Sequence, residues 1–199
     1  MSDADRLRWD ARHAAADRSV PAPPDALCEH LEAVPASGRA LDVACGRGEV
    51  AVWLAERGLA VDAVDVSPVA LAAGAALAGT AGVVDQVRWI VHDLDDGLPA
   101  ACAGPYDLVV CQRFRDPLRY GELAAVLAPG GLLAVTVLSE VEAAPGSYRA
   151  GPGELPASFG DLEVLAAREG DGEAVLVARA PLRSQAPPRG SRPAPRPPS

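Results

Sequence analysis

Lysine is absent from this chain of 199 residues, and aromatic residues make up only 4% of it. Every basic side chain is therefore Arg, which alongside the abundant Ala, Gly and Pro is the mark of GC-rich coding and not of function. With so few aromatics, a core drawn from the 49% of hydrophobic residues has to be built from Ala, Val and Leu. The four cysteines, Cys28, Cys45, Cys102 and Cys111, show no C-x-x-C spacing, and with three His they make a poor metal set. Free thiols of this kind suit a reducing cytosol. The first residues, MSDADRLRWDARH, contain no apolar stretch of signal-peptide type, and no uninterrupted apolar run is long enough to span a bilayer. A cytoplasmic protein without a membrane partner is expected. Net charge is −9, and the four Arg beyond residue 182 leave about −13 on the remainder. A body this acidic repels a phosphate backbone, so nucleic acid is not the expected partner.

What is present is an alternation. Residues 5–16 have the composition of a short helix, SVPAPP breaks it, and 25–34 has room for a second helix capped by Asp25. Strands follow at 39–44, 59–65, 87–93, 106–112 and 132–139. Helices fall at 49–58, from Ser67-Pro68 to about Leu77, and at 118–127, the last ending at Pro129-Gly130-Gly131. The link between the third and fourth strands shows no helix. Near-continuous apolar strands alternating with helices predict a parallel sheet covered on both faces. The pattern then changes to two strands, 162–169 and 173–180, around Gly170-Asp171-Gly172, a hairpin signal. Residues 1–182 thus form one domain whose first 35 residues are a helical cap, and 183–199 is a Pro/Arg-rich tail expected to be disordered.

The chemistry-bearing stretch is Leu41-Asp42-Val43-Ala44-Cys45-Gly46-Arg47-Gly48-Glu49, a loop between a strand and a helix. Glycine there allows a tight turn and the approach of a ligand to bare backbone. Asp65 ends the second strand, where a carboxylate can accept both hydroxyls of a ribose, and Asp93 ends the third, placed to accept from an adenine amino group. Each could equally cap the turn that follows it. Three such features at successive strand ends mark the edge where doubly wound sheets bind ligands. Gly46-x-Gly48-x-x-Ala51 also satisfies a loose dinucleotide fingerprint, which keeps an NAD(P)-dependent oxidoreductase as the alternative. Against it, Asp42 sits just before the loop, where it suits an ammonium or sulfonium and not a pyrophosphate.

At these residues, and over about 5–181, the sequence resembles the class I S-adenosylmethionine-dependent methyltransferases. ALDVACGRGEVAVWLAERG resembles their first motif, VDAVDVSPVAL the second, VRWIVHDLDDGLP the third, YDLVVCQRF the fourth, and LAPGGLLAVTVL the next turn and strand. The opening Trp9-Asp10-Ala11-Arg12 and the late YRAGPGEL (Tyr148 to Leu155) are similar to the small tellurite-resistance and thiopurine branch. The resemblance implies a Rossmann-like three-layer α/β sandwich with a mostly parallel seven-stranded sheet in the order 3-2-1-4-5-7-6. It implies S-adenosylmethionine as cofactor, with its methionine end against Asp42, Ala44, Gly46 and Gly48, its ribose on Asp65, and its adenine beside Val66, Asp93 and Leu94. Cys111 and Arg113 would lie near the methyl group. Ala44 stands where the family's loop carries its first Gly, a change the loop accommodates unless that residue needs a positive φ.

Methyl transfer is an in-line displacement, and holding the acceptor at attack distance can alone supply roughly 7–11 kcal/mol. No side chain therefore has to look catalytic, and a soft S, Se or Te nucleophile needs no general base. Trp9, Arg12, His13, Arg113, Phe114, Tyr148 and Arg149 are candidates for a small-molecule acceptor pocket, with the first helix folding over the site. His92, inside the third strand, is a weaker candidate base than His13. Cys45 and Cys111 are more readily packing residues than nucleophiles. The fourth strand is followed by Cys111-Gln112-Arg113-Phe114 and not by an N-P-P-Y/F motif, which disfavours amino-methylation of bases or glutamine. A non-catalytic, cofactor-binding regulatory protein is the remaining alternative.

Overall fold

The computed structural model describes residues 3–16 and 19–182, so the expected tail at 183–199 lies outside the described residues. Helix α1 spans Asp3–Ala14. The helix expected over 25–34 does not form; two 3-10 turns, Asp25–Leu27 and Leu31–Ala33, take its place. A ten-residue helix is marginal without tertiary support, and here the support goes to separate points. Ala26, Leu27 and Val34 are buried, while the Asp25 backbone N–H donates to Gln112 Oε1 at 2.8 Å. The expected helical cap is therefore one helix followed by an extended strap.

The sheet comprises β1 Gly38–Val43, β2 Leu59–Asp65, β3 Val87–Val91, β4 Tyr106–Gln112, β5 Leu127–Leu138, β6 Glu163–Gly170 and β7 Glu173–Arg179. Their order is β3-β2-β1-β4-β5-β7-β6, as expected, with β1 to β5 parallel and β7 antiparallel to both its neighbours. Helices α2 Glu49–Glu56 and α3 Pro68–Ala81 cover one face, where Ala40, Val61, Leu108, Val110 and Leu132 form one apolar layer. Helices α4 Tyr120–Ala125 and α5 Glu154–Ser158 lie over the other, where Leu41, Val43, Val109, Leu133 and Val135 meet Tyr120, Leu155 and Phe159. Each fully buried Leu or Val adds roughly 1.5–3 kcal/mol, so an aromatic-poor core is sufficient.

Several boundaries differ from expectation for local reasons. Helix α3 runs four residues beyond Leu77, closed by Gly82 at φ +76°. Helix α4 is shorter than 118–127, because the turn at Asp116 to Arg119 precedes it. Pro129-Gly130-Gly131 does not separate α4 from β5; it bulges out of a strand already paired to β4 at Leu127. Asp171 and Gly172 both take positive φ, +50° and +76°, the geometry of a two-residue hairpin turn. No helix among the described residues is long and apolar enough to cross a membrane.

Candidate functional site

Strands β1, β2 and β4 end together, and their register brings the polar residues of three separate motifs to one edge. Asp42 pairs with Ala63 of β2 and Val110 of β4, and Val43 with Val64 and Cys111. The loop after β1 is stitched to β2: Cys45 N–H donates to Val64 O at 3.0 Å, and Gly46 N–H to Asp65 Oδ2 at 2.8 Å. Ala44, Gly46 and Gly48 take left-handed φ of +55°, +53° and +74°. Ala44 thus holds the conformation that glycine would hold without strain, and the loop forms around it. Gly48 is required twice over, because a Cβ there would lie 2.4 Å from the Trp89 ring as well as at positive φ.

Asp42 is 3% exposed, and among the described residues its Oδ2 has no hydrogen-bond partner. Burial first, then the negative charge of Asp65, push its carboxyl up to about 8; a bond from the Ala51 backbone works the other way, and Glu49 adds a smaller upward push. A buried oxygen left without a donor is costly, and a cationic ligand would remove that cost. Asp65 is also buried, and its two oxygens accept from Gly46 N–H and from Ser67 N–H at 2.9 Å. Val66 beside it is half-buried. Asp93 Oδ1 accepts from Asp95 N–H at 3.0 Å and caps the short 3-10 turn Leu94–Asp96, the turn-capping role open to it from sequence, and Leu94 is buried. The Cys111 thiol is fully buried and pushed up to about 12 by burial and by Asp42, and Cys45 is raised by burial and by Asp42 and Asp65. Neither thiol is a ready nucleophile.

The acceptor candidates divide into two groups. On α1, Trp9 and His13 stack with centroids 6.0 Å apart, and the Arg12 guanidinium lies 5.2 Å above the Trp9 ring. His13 Cε1 stands 3.5 Å from where a Gly46 Cβ would be, so this cluster rests on the glycine loop. The others lie elsewhere or are engaged. Arg113 is exposed at φ +58° and comes within 3.9 Å of Glu173, Tyr148 is 75% exposed, and Phe114 packs against the second core. Arg149 is spent on the Ser139 and Gly172 carbonyls, at 2.7 and 3.1 Å. His92 falls just past β3, not within it, and its Nε2 bonds the Gly97 carbonyl at 3.0 Å.

Several contacts at this edge are not signalled by the sequence. Arg47 Nη1 donates to the carbonyls of His13 and Ala16, at 2.9 and 2.8 Å. Ser67, expected only as the cap of α3, also donates its hydroxyl to Asp10 Oδ1 at 2.5 Å. Ser19 Oγ donates to Glu49 Oε1 at 2.5 Å, and Gln112 accepts from Asp25 N–H. The only signal in the chain was position: Arg47 and Glu49 flank Gly48, and Asp10 lies within the Trp9–Arg12 motif.

Residues 40–131 match the family model described as a methyltransferase domain. A ubiquinone biosynthesis O-methyltransferase of Xanthomonas axonopodis pv. citri is 34% identical over 115 residues, 55% of this chain and 47% of that protein. A ribosomal RNA small subunit methyltransferase C of Idiomarina loihiensis is 37% identical over 84 residues, 42% of this chain and 23% of that one. The chain thus spans half or less of the length of these relatives. Among solved structures, TehB from Haemophilus influenzae superposes with a TM-score of 0.62 at 18% identity, over 71% of this chain and 57% of that one. A structure described as conversion of a disulfide bond into a thioacetal group during echinomycin biosynthesis gives 0.66 at 19% identity, over 90% and 94%. At such identities the structural likeness carries the fold alone. The family match covers residues 40–131, just under half of the chain, and the sheet around them has the strand order expected of the Rossmann-like methyltransferase fold.

Proposed function

We propose that the chain binds S-adenosylmethionine at the ends of β1 to β4 and transfers its methyl group to a small-molecule acceptor. The observation that carries this reading is Asp42, a buried carboxylate with one oxygen unpartnered beneath a loop of left-handed residues. When bound, the cofactor supplies a methyl group on positively charged sulfur, open to in-line displacement. Asp42 would take its cationic methionine end, Ala44, Gly46 and Gly48 its close approach, Asp65 the ribose, and Val66, Asp93 and Leu94 the adenine. Cys111 and Arg113 would stand on the methyl side. His13 would shield the loop from water, and the exposed Trp9 and Arg12 would face the acceptor, Arg12 giving that side positive charge.

For the acceptor we favour a soft sulfur, selenium or tellurium nucleophile. Neither buried thiol nor Tyr120, whose hydroxyl burial and Glu154 hold well above its usual range, is suited to remove a proton at neutral pH. An acceptor that ionises by itself needs no such base. A phenolic oxygen is the second reading, supported by the O-methyltransferase relative; His13 would then serve as the base. The acidity of the chain weighs against RNA, for which the ribosomal methyltransferase relative speaks. The test is release of S-adenosylhomocysteine with thiols, halides, selenium and tellurium oxyanions, phenols, amines and a ribosomal RNA fragment. Turnover with thiols or chalcogen anions is expected. Turnover on RNA alone would overturn the small-molecule assignment, and cofactor binding without turnover on any acceptor would favour a regulatory protein.

A further inference from the structure

Helix α1 is held on the proposed cofactor loops by two clasps, and both clasps start from those loops. Arg47 lies between Gly46 and Gly48, and its guanidinium donates to the carbonyls of His13 and Ala16, at and just beyond the end of α1. The last carbonyls of a helix lack partners within it and carry the negative end of its dipole. Both bonds leave one nitrogen, Nη1, whose two hydrogens serve the His13 carbonyl, which also accepts from Ala16 N–H at 3.4 Å, and the Ala16 carbonyl beyond the helix. The Arg47 Nε is buried with no partner among the described residues, so the head group is already partly withdrawn from water. The second clasp is Asp10 on the Ser67 hydroxyl, two residues beyond Asp65. Between the clasps, His13 covers Gly46, and α1 packs along α3. Asp42, Gly48 and Asp65 are all buried under this arrangement.

We propose that Arg47 is a positioning residue, a latch carried on the glycine loop that closes α1 over the cofactor site and must release for the cofactor to enter or leave. The proposal rests on the cofactor-binding reading above. Because Arg47 and Ser67 ride on the segments proposed to hold the methionine end and the ribose, a ligand that shifts either segment shifts the clasp with it. Closure of the Trp9–Arg12–His13 cluster and occupancy of the site are thereby linked. Nothing in the chemistry passes through Arg47, so its loss should alter exchange of the cofactor more than the methyl-transfer step.

Two measurements on the full chain test this. In the absence of ligand, amide hydrogen exchange over residues 6–14 should speed up about tenfold in Arg47→Ala and by a smaller factor in Asp10→Ala, with Arg47→Lys between Arg47→Ala and the parent. By stopped flow, S-adenosylhomocysteine should both associate and dissociate faster in Arg47→Ala, by about tenfold for the off-rate. Unchanged exchange over 6–14 in both Arg47→Ala and Asp10→Ala would overturn the latch. Were Arg47→Ala to lose its fold, Asp10→Ala decides alone, since Asp10 lies on the surface helix and outside both cores. If the parent chain binds no S-adenosylhomocysteine, the cofactor reading fails, while the exchange experiment still reports on the clasp.

Discussion

Asp42 and Asp62 stand in neighbouring strands one step apart in register, and both are almost wholly buried, at 3% and 7% exposure. Their surroundings are opposite. Asp62, in the middle of β2, accepts from Tyr106 Oη at 2.6 Å, from Arg88 Nε at 2.7 Å and from Arg39 Nη2 at 3.1 Å. Burial pushes its carboxyl up, but these bonds outweigh burial and hold it below the ordinary aspartate range. Arg39 also lies 4.6 Å over the Tyr106 ring, which closes the cluster. Among the described residues Asp42 has no Arg or hydroxyl bonded to it; burial, then Asp65 and Glu49, outweigh the bond from the Ala51 backbone and drive it up to about 8. The sheet satisfies one buried aspartate three times and leaves its neighbour short of a partner; on the proposed reading the first serves stability and the second a ligand.

Breaking the satisfied site should cost most. Asp62→Ala leaves two guanidinium groups and a buried hydroxyl without their acceptor and should destabilise the fold by about 3 kcal/mol, read by urea denaturation. The sign of the pH dependence follows from the lowered carboxyl: the Asp62 contribution is present above the unfolded value near 4 and is lost as pH falls through the folded one. At Asp42 the sign reverses, because the raised carboxyl favours the neutral form in the folded chain. Its stability cost therefore builds as pH rises from about 4 to about 8. The ammonium of S-adenosylhomocysteine pairs best with the ionised form, so its affinity should climb as pH rises from 6 to 8, by up to about tenfold per unit, in calorimetry. An affinity flat across that window would mean Asp42 does not face the ligand. The smallest effect is at the loop itself. Ala44→Gly removes a left-handed alanine at φ +55° and should stabilise by about 0.5–1 kcal/mol, the strain relief being partly offset by the entropy of an added glycine.

The sheet was legible because its signals are local and repeated: apolar runs for β2 and β4, a Ser-Pro start for α3, a two-residue Asp-Gly hairpin. The order of the strands was not in those signals; it came from the family likeness. The segment 25–34 was misread because its apolar residues suit a helix, while what decides its path is Gln112, 87 residues away from Asp25. The same limit applies at the site. Asp42, Gly46, Gly48 and Asp65 announce themselves by their place at strand ends. Arg47, Asp10 and Ser67 act through contacts between α1 and loops 31 to 57 residues distant, and no periodicity encodes such a pairing. Asp93 was legible in its capping role, which the sequence left open beside a ligand role, and it caps the turn that follows β3.

On the proposed reading, Asp42 is kept short of a partner for the positively charged group of a ligand. Asp42→Asn tests it with two readouts on one variant. Thermal and urea unfolding at pH 8 should show the variant more stable than the parent by roughly 2–4 kcal/mol, because a desolvated charge has been removed. Calorimetric titration with S-adenosylhomocysteine should show affinity lost by about a hundredfold or more. A variant that is less stable than the parent and still binds with full affinity would contradict the account.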